Sequence, residues 1–357
     1  MDLEWSKLRD KVHPDLKTTG CWDISKVEEL HVVKARAQSR KETYHFGRMF
    51  GICVEEGSEL PPGDKGRKFK GRYVFQGNEV KDQNWEAAIF QELGSSPAAM
   101  EAGNSCDFYG LLPGNRSEQS DAEQAYTQSL LKGTLTWVIL PRDRWPPEWA
   151  TLGLRNPVVP LYLALYGHPD AGGYWEAHCE RHLLSVGFAP ISEWRSCFWH
   201  AALKLFLVVY VDDFKLSGPE GNLAKGWDLI RTGIATDAPH PMDLFLGCKH
   251  ESSVQTSPWT GKKVRVMTYN MQSFLEDAVA KYQVLAGNVT LRRVTTPFLE
   301  DTEPEATANT VAAAPGGKAP PDPIPPPAGE LKHCCASVLM KLLYAARMCR
   351  YDLLHAI

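Results

Sequence analysis

A chain of 357 residues, 43% hydrophobic and 23% charged, has the composition of a globular protein large enough for two or more subdomains. Its formal net charge of −4 excludes a uniformly basic nucleic-acid binder but leaves room for local basic surfaces. No apolar run is long enough to cross a bilayer, so no membrane partner is expected. The opening MDLEWSKLRD is charged rather than a secretory signal. The nine cysteines follow no repeated spacing, so a reduced, cytoplasmic protein without a disulfide framework is expected.

Taken in order, residues 28–56 read as strand-rich, with ELHVVKARA followed by RMFGICVEE. KFKGRYVFQG at 68–77 alternates with period two and reads as another strand. Residues 84–103 have a helical pattern broken between Gly94 and Pro97. DAEQAYTQSLLKG at 121–133 reads as helix, TWVIL as strand and PRDRWPPEW as loop. Residues 170–186 carry apolar positions at helical spacing. FWHAALKLFLVVYVDDFKLSG at 198–218 reads as a hairpin that turns at its aspartates. LAKGWDLIRTGI is an amphipathic helix and DLFLGCKH a strand. SFLEDAVAKYQVLAG is a further helix with Phe274, Ala278 and Tyr282 on one stripe. Residues 300–330, rich in Pro, Ala and Gly, read as a flexible linker. A last helix follows within 336–357.

The chemistry concentrates at Asp212 and Asp213. Seven apolar or aromatic residues, LFLVVYV, lead directly into this pair. Adjacent carboxylates repel and raise each other's pKa unless a cation lies between them. A hairpin tip alone would account for two aspartates as turn residues. Asp121, which follows the polar run GNRSEQS and is expected at a strand end before a helix, supplies a second acidic segment. Carboxylates from two segments, with the Ala122 carbonyl beside them, suit two Mg²⁺ ions, or Mn²⁺ in substitution, in phosphoryl-transfer chemistry. Asp212 is expected to be the direct ligand and Asp213 the more peripheral one. Tyr126, five residues after Asp121, lies where the sugar of an incoming nucleotide would face, or else is a buried aromatic.

YVDD after an apolar strand resembles the core motif of reverse transcriptases. The ordered segments around it are similar to the copia-type family of long-terminal-repeat retrotransposons: KGRYVFQG at 70–77, SDAEQAYTQSLLKG at 120–133, LALYGHPDAGGYW at 163–175, SCFWH at 196–200 and FLGC at 245–248. The last helix resembles the segment that leads toward that family's RNase H domain, which is expected to be absent here. The resemblance implies an α+β right-hand polymerase fold: an N-terminal segment 1–27, fingers 28–119, a palm 120–250 with a small antiparallel sheet backed by helices, a thumb-like region 251–299, the linker 300–330 and a C-terminal helix 331–357. It implies an RNA-directed DNA polymerase with Asp121, Asp212 and Asp213 as catalytic carboxylates. It also implies that Lys70, Arg72, Ala125, Tyr126, Asp170, Tyr210 and Val211 line the path of nucleotide and template. The implied partners are an RNA or DNA template with its primer, deoxynucleoside triphosphates, and other parts of a retrotransposon polyprotein such as integrase, RNase H and capsid, in virus-like particles.

Alternatives stay open beside these expectations. By residue chemistry alone, KGRKFKGR at 65–72 is a solvated strand edge. A two-metal nuclease would share the carboxylates. The chain also departs from the family after its leucine-tyrosine-glycine segment. Pro169, Asp170, Gly172 and Gly173 stand where the family carries a lysine, a glutamine, a proline and an arginine. An impaired remnant that binds nucleic acid or assembles in a particle fits that departure.

Overall fold

The apolar run before the aspartates forms a central strand covered on both sides. The computed structural model describes residues 1–56, 67–90, 97–291, 293 and 331–357. The chain divides into two units, Met1–Pro241 and Met242–Ile357, of mixed α+β structure. The expected linker at 300–330 lies outside the described residues, as do Lys65 and Gly66 of the basic cluster.

In the first unit, α1 (Asp2–Arg9) is followed by β1 (Glu28–Glu29), α2 (Leu30–Arg40), β2 (Tyr44–Glu56), β3 (Lys68–Phe75) and β4 (Lys81–Asp82). Next come α3 (Met100–Leu111), β5 (Asn115–Asp121), β6 (Leu135–Ile139), the short helix α4 (Pro147–Thr151) and β7 (Pro157–Pro160). The unit closes with α5 (Ala171–Ser185), β8 (Ala189–Ile191), β9 (Trp194–His200), β10 (Leu205–Tyr210), β11 (Asp213–Pro219), α6 (Glu220–Arg231) and β12 (His240–Pro241). One sheet has the order β1-β7-β6-β2-β3, with β4 on β2; the other has the order β12-β5-β11-β10-β9-β8. Segments of the two sheets alternate along the sequence.

The second sheet is packed on both faces. Leu205, Leu207 and Val209 of β10 and Phe214 and Leu216 of β11 join Trp175 and Leu183 of α5 and Trp227 and Ile230 of α6 in one core. Phe206 and Val208 face the other way, toward Ala102 and Cys106 of α3. A strand buried on both faces has no polar alternation, which is why β10 reads as an unbroken apolar run. Each large side chain buried here contributes about 1.5–3 kcal/mol. The exception is Lys215 of β11, 1% exposed, whose ammonium donates to Asp107 of α3 at 2.8 Å.

Several expected elements take other forms. ELHVVKARA is mostly helix: Val33 and Ala37, four apart, are both buried, so a helical stripe outweighs the strand propensity of its valines. Of the helical pattern at 84–103, residues 91–96 lie outside the described residues, and among the described ones a helix begins at Met100. The strand end expected at Asp121 is present, closing a strand over the polar run NRSEQSD that is held by full pairing with β11. PRDRWPPEW contains a single-turn helix with Pro147 at its start. The expected single hairpin at 198–218 is three strands, because the chain turns between His200 and Leu205 as well as at the aspartates.

The second unit holds β13 (Leu244–Phe245), β14 (Cys248–Thr256), β15 (Lys263–Asn270), α7 (Gln272–Leu285) and α8 (Cys335–Met348). DLFLGCKH is thus two strands, separated at Leu246 and Gly247, both with positive φ. α7 and α8 meet at Phe274 and Tyr344, 5.6 Å apart, and the Tyr344 hydroxyl donates to the Leu246 carbonyl at 2.7 Å. Among the described residues no helix is long and apolar enough to cross a membrane.

Removing one member of a buried ion pair strands the other charge in a low dielectric. Lys215→Met is therefore expected to lower unfolding stability by about 3–5 kcal/mol, read by urea denaturation. Lys215→Met combined with Asp107→Leu should recover most of that loss.

Candidate active site

The β10–β11 connection has only two loop residues, Val211 and Asp212, between the paired Tyr210 and Asp213. Val211 has φ 58° while Asp212 has a negative φ, the pattern of a type II′ turn, where the first position favours glycine. A β-branched residue in that conformation is strained, by about 1–3 kcal/mol. Two hydrogen bonds hold it. The indole of Trp175, 2% exposed on α5, donates to the Val211 carbonyl at 2.7 Å. The Ala122 amide donates to the Asp212 carbonyl at 2.7 Å.

The second acidic segment is set by strand register. β5 pairs with β11 so that Asp121 lies directly opposite Asp213. The chain after Asp121 does not continue as the expected helix. Its backbone groups pair with the 235–237 segment instead: the Glu123 amide donates to the Ala235 carbonyl and the Asp237 amide to the Asp121 carbonyl, each at 2.9 Å. Buried Gln128 locks this arrangement, giving its side-chain N–H groups to the Glu123 and Ala235 carbonyls and accepting from the Ala235 amide. Only a short 3₁₀ turn, Ala125–Gln128, forms.

Three carboxylates therefore gather at one end of the central strands, and their electrostatics record it. Burial, then the charges of Asp212 and Asp121 and a hydrogen bond with Asp121, push Asp213 up to about 7. The hydrogen bond between the two carboxyls raises Asp213 and lowers Asp121, so it favours the proton on Asp213. Asp121 is raised as well, by partial desolvation first and then by Asp212 and Asp237, against the lowering effects of the Asp213 bond and of His240. Such a group of oxygens fits a hard divalent cation. Among the described residues no three acidic, His or Cys side chains already close around a point that would hold an ion. Mg²⁺ does not require such a cage, because it keeps several waters and uses substrate phosphates with one or two carboxylates.

Around this end, Tyr126 is half-buried against the core and its ring lies 4.5 Å from that of Tyr166. Burial and then the charge of Asp212 raise the Tyr126 hydroxyl. Burial, then Asp212 and Tyr126, push Tyr166 up to about 12, against the charge of Arg72. Tyr166 thus lies within electrostatic reach of both exposed Arg72 on β3 and Asp212. Gly167 places it: with φ 89°, it sits where any side chain would strike the Phe75 carbonyl, and the Phe75 amide donates to the Tyr166 carbonyl at 2.7 Å. α1 also reaches the site's outer turn, since Gln124 donates to Glu4 at 3.3 Å and accepts from Lys11 at 3.5 Å.

The expected site residues separate accordingly. Asp121, Ala122, Asp212 and Asp213 come together, with Tyr210 and Val211 in the same hairpin and Tyr126 beside them. Ala125 is fully buried beneath the turn. Lys70 is exposed on β3, two residues before Arg72. Asp170 lies elsewhere: it is 6% exposed, its amide donates to His168 Nδ1 at 3.2 Å, and its charge acts on His45 and Tyr174. Its position precedes α5, but its side chain caps no amide. Sequence reasoning missed Tyr166 and the clamp formed by Trp175. The glycine after Tyr166 and the indole N–H of a helix tryptophan were the available signals.

The chain matches no family model and no curated protein. Among solved structures, a foamy viral protease-reverse transcriptase in complex with double-stranded DNA is similar at 10% identity and a TM-score of 0.29. The match covers 80% of this chain and 41% of that one, and a score at this level does not define a shared fold.

Asp213 gives the site a pH signature. Its folded-state pKa lies above the unfolded value, so its stabilising contribution is complete below about pH 4 and is lost as pH rises through about 7. In EDTA, urea midpoints of the wild type should fall relative to those of Asp213→Asn between pH 4 and 8. Parallel profiles for the two proteins would remove the proton held by Asp213.

Proposed function

We propose that the chain is a reverse transcriptase that adds deoxynucleotides to a primer 3′-hydroxyl under the direction of an RNA template, with DNA as a second template. The observation that carries this reading is the register of Asp121 against Asp213, with Asp212 on a strained turn between them. Nothing in packing calls for three acids at one end of these strands, and their mutual repulsion works against the fold. The ordered resemblance to copia-type elements supplies the reaction class; a two-metal nuclease would not account for those segments.

In this reading the sheet with β5, β10 and β11 is the palm, β2 and β3 belong to the fingers, and the second unit contains the thumb-like part. Asp121, Asp212 and Asp213, with the Ala122 carbonyl, would hold two Mg²⁺ ions, or Mn²⁺ in substitution. Bound there, the ions would supply a Lewis acid for the primer hydroxyl and charge neutralisation at the leaving pyrophosphate. Lys70 and Arg72 would reach phosphates of the nucleotide or template. Tyr126, braced by Tyr166, would press on the sugar. The partners are primer–template and deoxynucleoside triphosphates, and in a retrotransposon setting the integrase, RNase H and capsid parts of a polyprotein.

The burial of Asp170 supports activity over the remnant reading. An acid in place of a glutamine would repel a triphosphate if it faced one. This carboxyl is turned inward beside His45, so the substitution adds no exposed negative charge at that point.

Primer extension on an oligo(dT)-primed RNA template with Mg²⁺ or Mn²⁺ is the direct test. The wild type should extend, and Asp121→Asn or Asp212→Asn should lose on the order of a thousandfold in rate with the fold intact. Wild-type-like extension by Asp212→Asn would sink the reading. A wild type that binds primer–template without extending it would instead establish the remnant.

Tyr126→Val tests the sugar contact. A ring packed under C2′ excludes a hydroxyl by steric overlap, so the variant should incorporate ribonucleotides much better relative to deoxynucleotides. A purely structural tyrosine predicts an unchanged ratio and a stability loss of up to about 3 kcal/mol.

A further inference from the structure

The second unit contains a feature that the carboxylate chemistry does not use. Among the described residues, the outer part of the β14–β15 ladder has no packed layer on either face. Every residue from Ser252 to Arg265 except Ser257 is exposed. Among them are Val254 at 65%, Val264 at 39% and, at the tip, Trp259 at 91%. Two-stranded ladders without a covered face are marginal alone, and a tryptophan left almost wholly in water gains nothing from packing.

The tip is nevertheless well built. The Ser257 amide donates to the Lys262 carbonyl at 2.8 Å, and the Gly261 amide to the Ser257 carbonyl at 2.9 Å. Gly261 takes φ 65°, closing a tight loop around Pro258, Trp259 and Thr260. The indole is thus presented on fixed backbone, at little entropic cost to a ligand. The charge of the arm is one-sided. Between Ser252 and Arg265 stand Lys262, Lys263 and Arg265 and no carboxylate, in a chain whose net charge is negative. A rigid exposed aromatic beside cations fits a polyanion that carries stackable rings.

We propose that this arm is a contact for single-stranded nucleic acid, with Trp259 stacking on an unpaired base and Lys262 and Lys263 holding adjacent phosphates. Stacking tolerates any base and either sugar, so single-stranded RNA and DNA are equivalent ligands. The proposal is independent of polymerase activity, and its test is read without catalysis.

Fluorescence anisotropy of labelled single-stranded RNA, single-stranded DNA and blunt duplex, with the full chain in EDTA and without nucleotides, decides it. Trp259→Ala should weaken both single strands about tenfold and the duplex much less, and Trp259→Phe should restore most of the loss. Lys262→Gln with Lys263→Gln should reduce the slope of log affinity against log salt by about 1–2. Melting curves accompany each variant; if Trp259→Ala lowers the melting temperature, the lysine pair decides. Single-strand affinities within twofold of wild type would overturn the proposal, as would equal losses on duplex. Co-sedimentation of the same variants with phosphatidylserine vesicles is the control, and a loss confined to the vesicles would overturn the proposal and make the arm a membrane contact.

Discussion

The first unit is organised around a repulsion. Register places Asp213 against Asp121, and the turn adds Asp212 beside both. Like charges so close oppose folding, and the turn that carries one of them is strained at Val211. Neighbouring elements supply what keeps the arrangement in place. Trp175 holds one loop carbonyl from α5, the Ala122 amide holds the other from the segment after β5, and Gln128 ties that segment to 235–237. β10 is gripped by cores on both faces, so the tip cannot relax by tilting its strand. What remains unrelieved is the electrostatic cost at the acids themselves: burial and the neighbouring charges push Asp213 up to about 7 and raise Asp121 as well.

Those dependencies explain what could be seen in the sequence. β10, α5, α6 and α7 were legible because burial fixed their period: a continuous apolar run for the strand, spaced apolar positions for the helices. The carboxylates were legible as types, since two acids after such a run have few structural uses. β5 was legible only through the strand end expected at Asp121; its length was not, because NRSEQSD has no apolar alternation and pairing with β11 and β12 holds it. The segment after Asp121 has helical composition, yet the distant Ala235 carbonyl captures its Glu123 amide and the Asp212 carbonyl its Ala122 amide. No local pattern announces a partner more than a hundred residues away. α2 failed in the opposite sense, since two valines suggested a strand while the four-residue spacing of Val33 and Ala37 settled a helix.

The 166–170 segment shows how side-chain direction changes the meaning of a substitution. Tyr166 and Asp170 are four residues apart on a segment pinned to the end of β3 by Gly167. Tyr166 turns toward Asp212 and Tyr126, whereas Asp170 turns inward to a buried pocket of polarity with His45 and His168. Burial, with the neighbouring charge of His45, depresses His168 to about 4, so its imidazole is neutral at ordinary pH and adds no cation to balance the acid. Read along the sequence, Asp170 is an acid placed where a nucleotide should pass. Read in the fold, it is an internal polar group, and the residue of the segment that faces the carboxylates is Tyr166. A departure from a motif therefore bears on chemistry only when its side chain points toward that chemistry, and here the strand-end contact of a single glycine decides which one does.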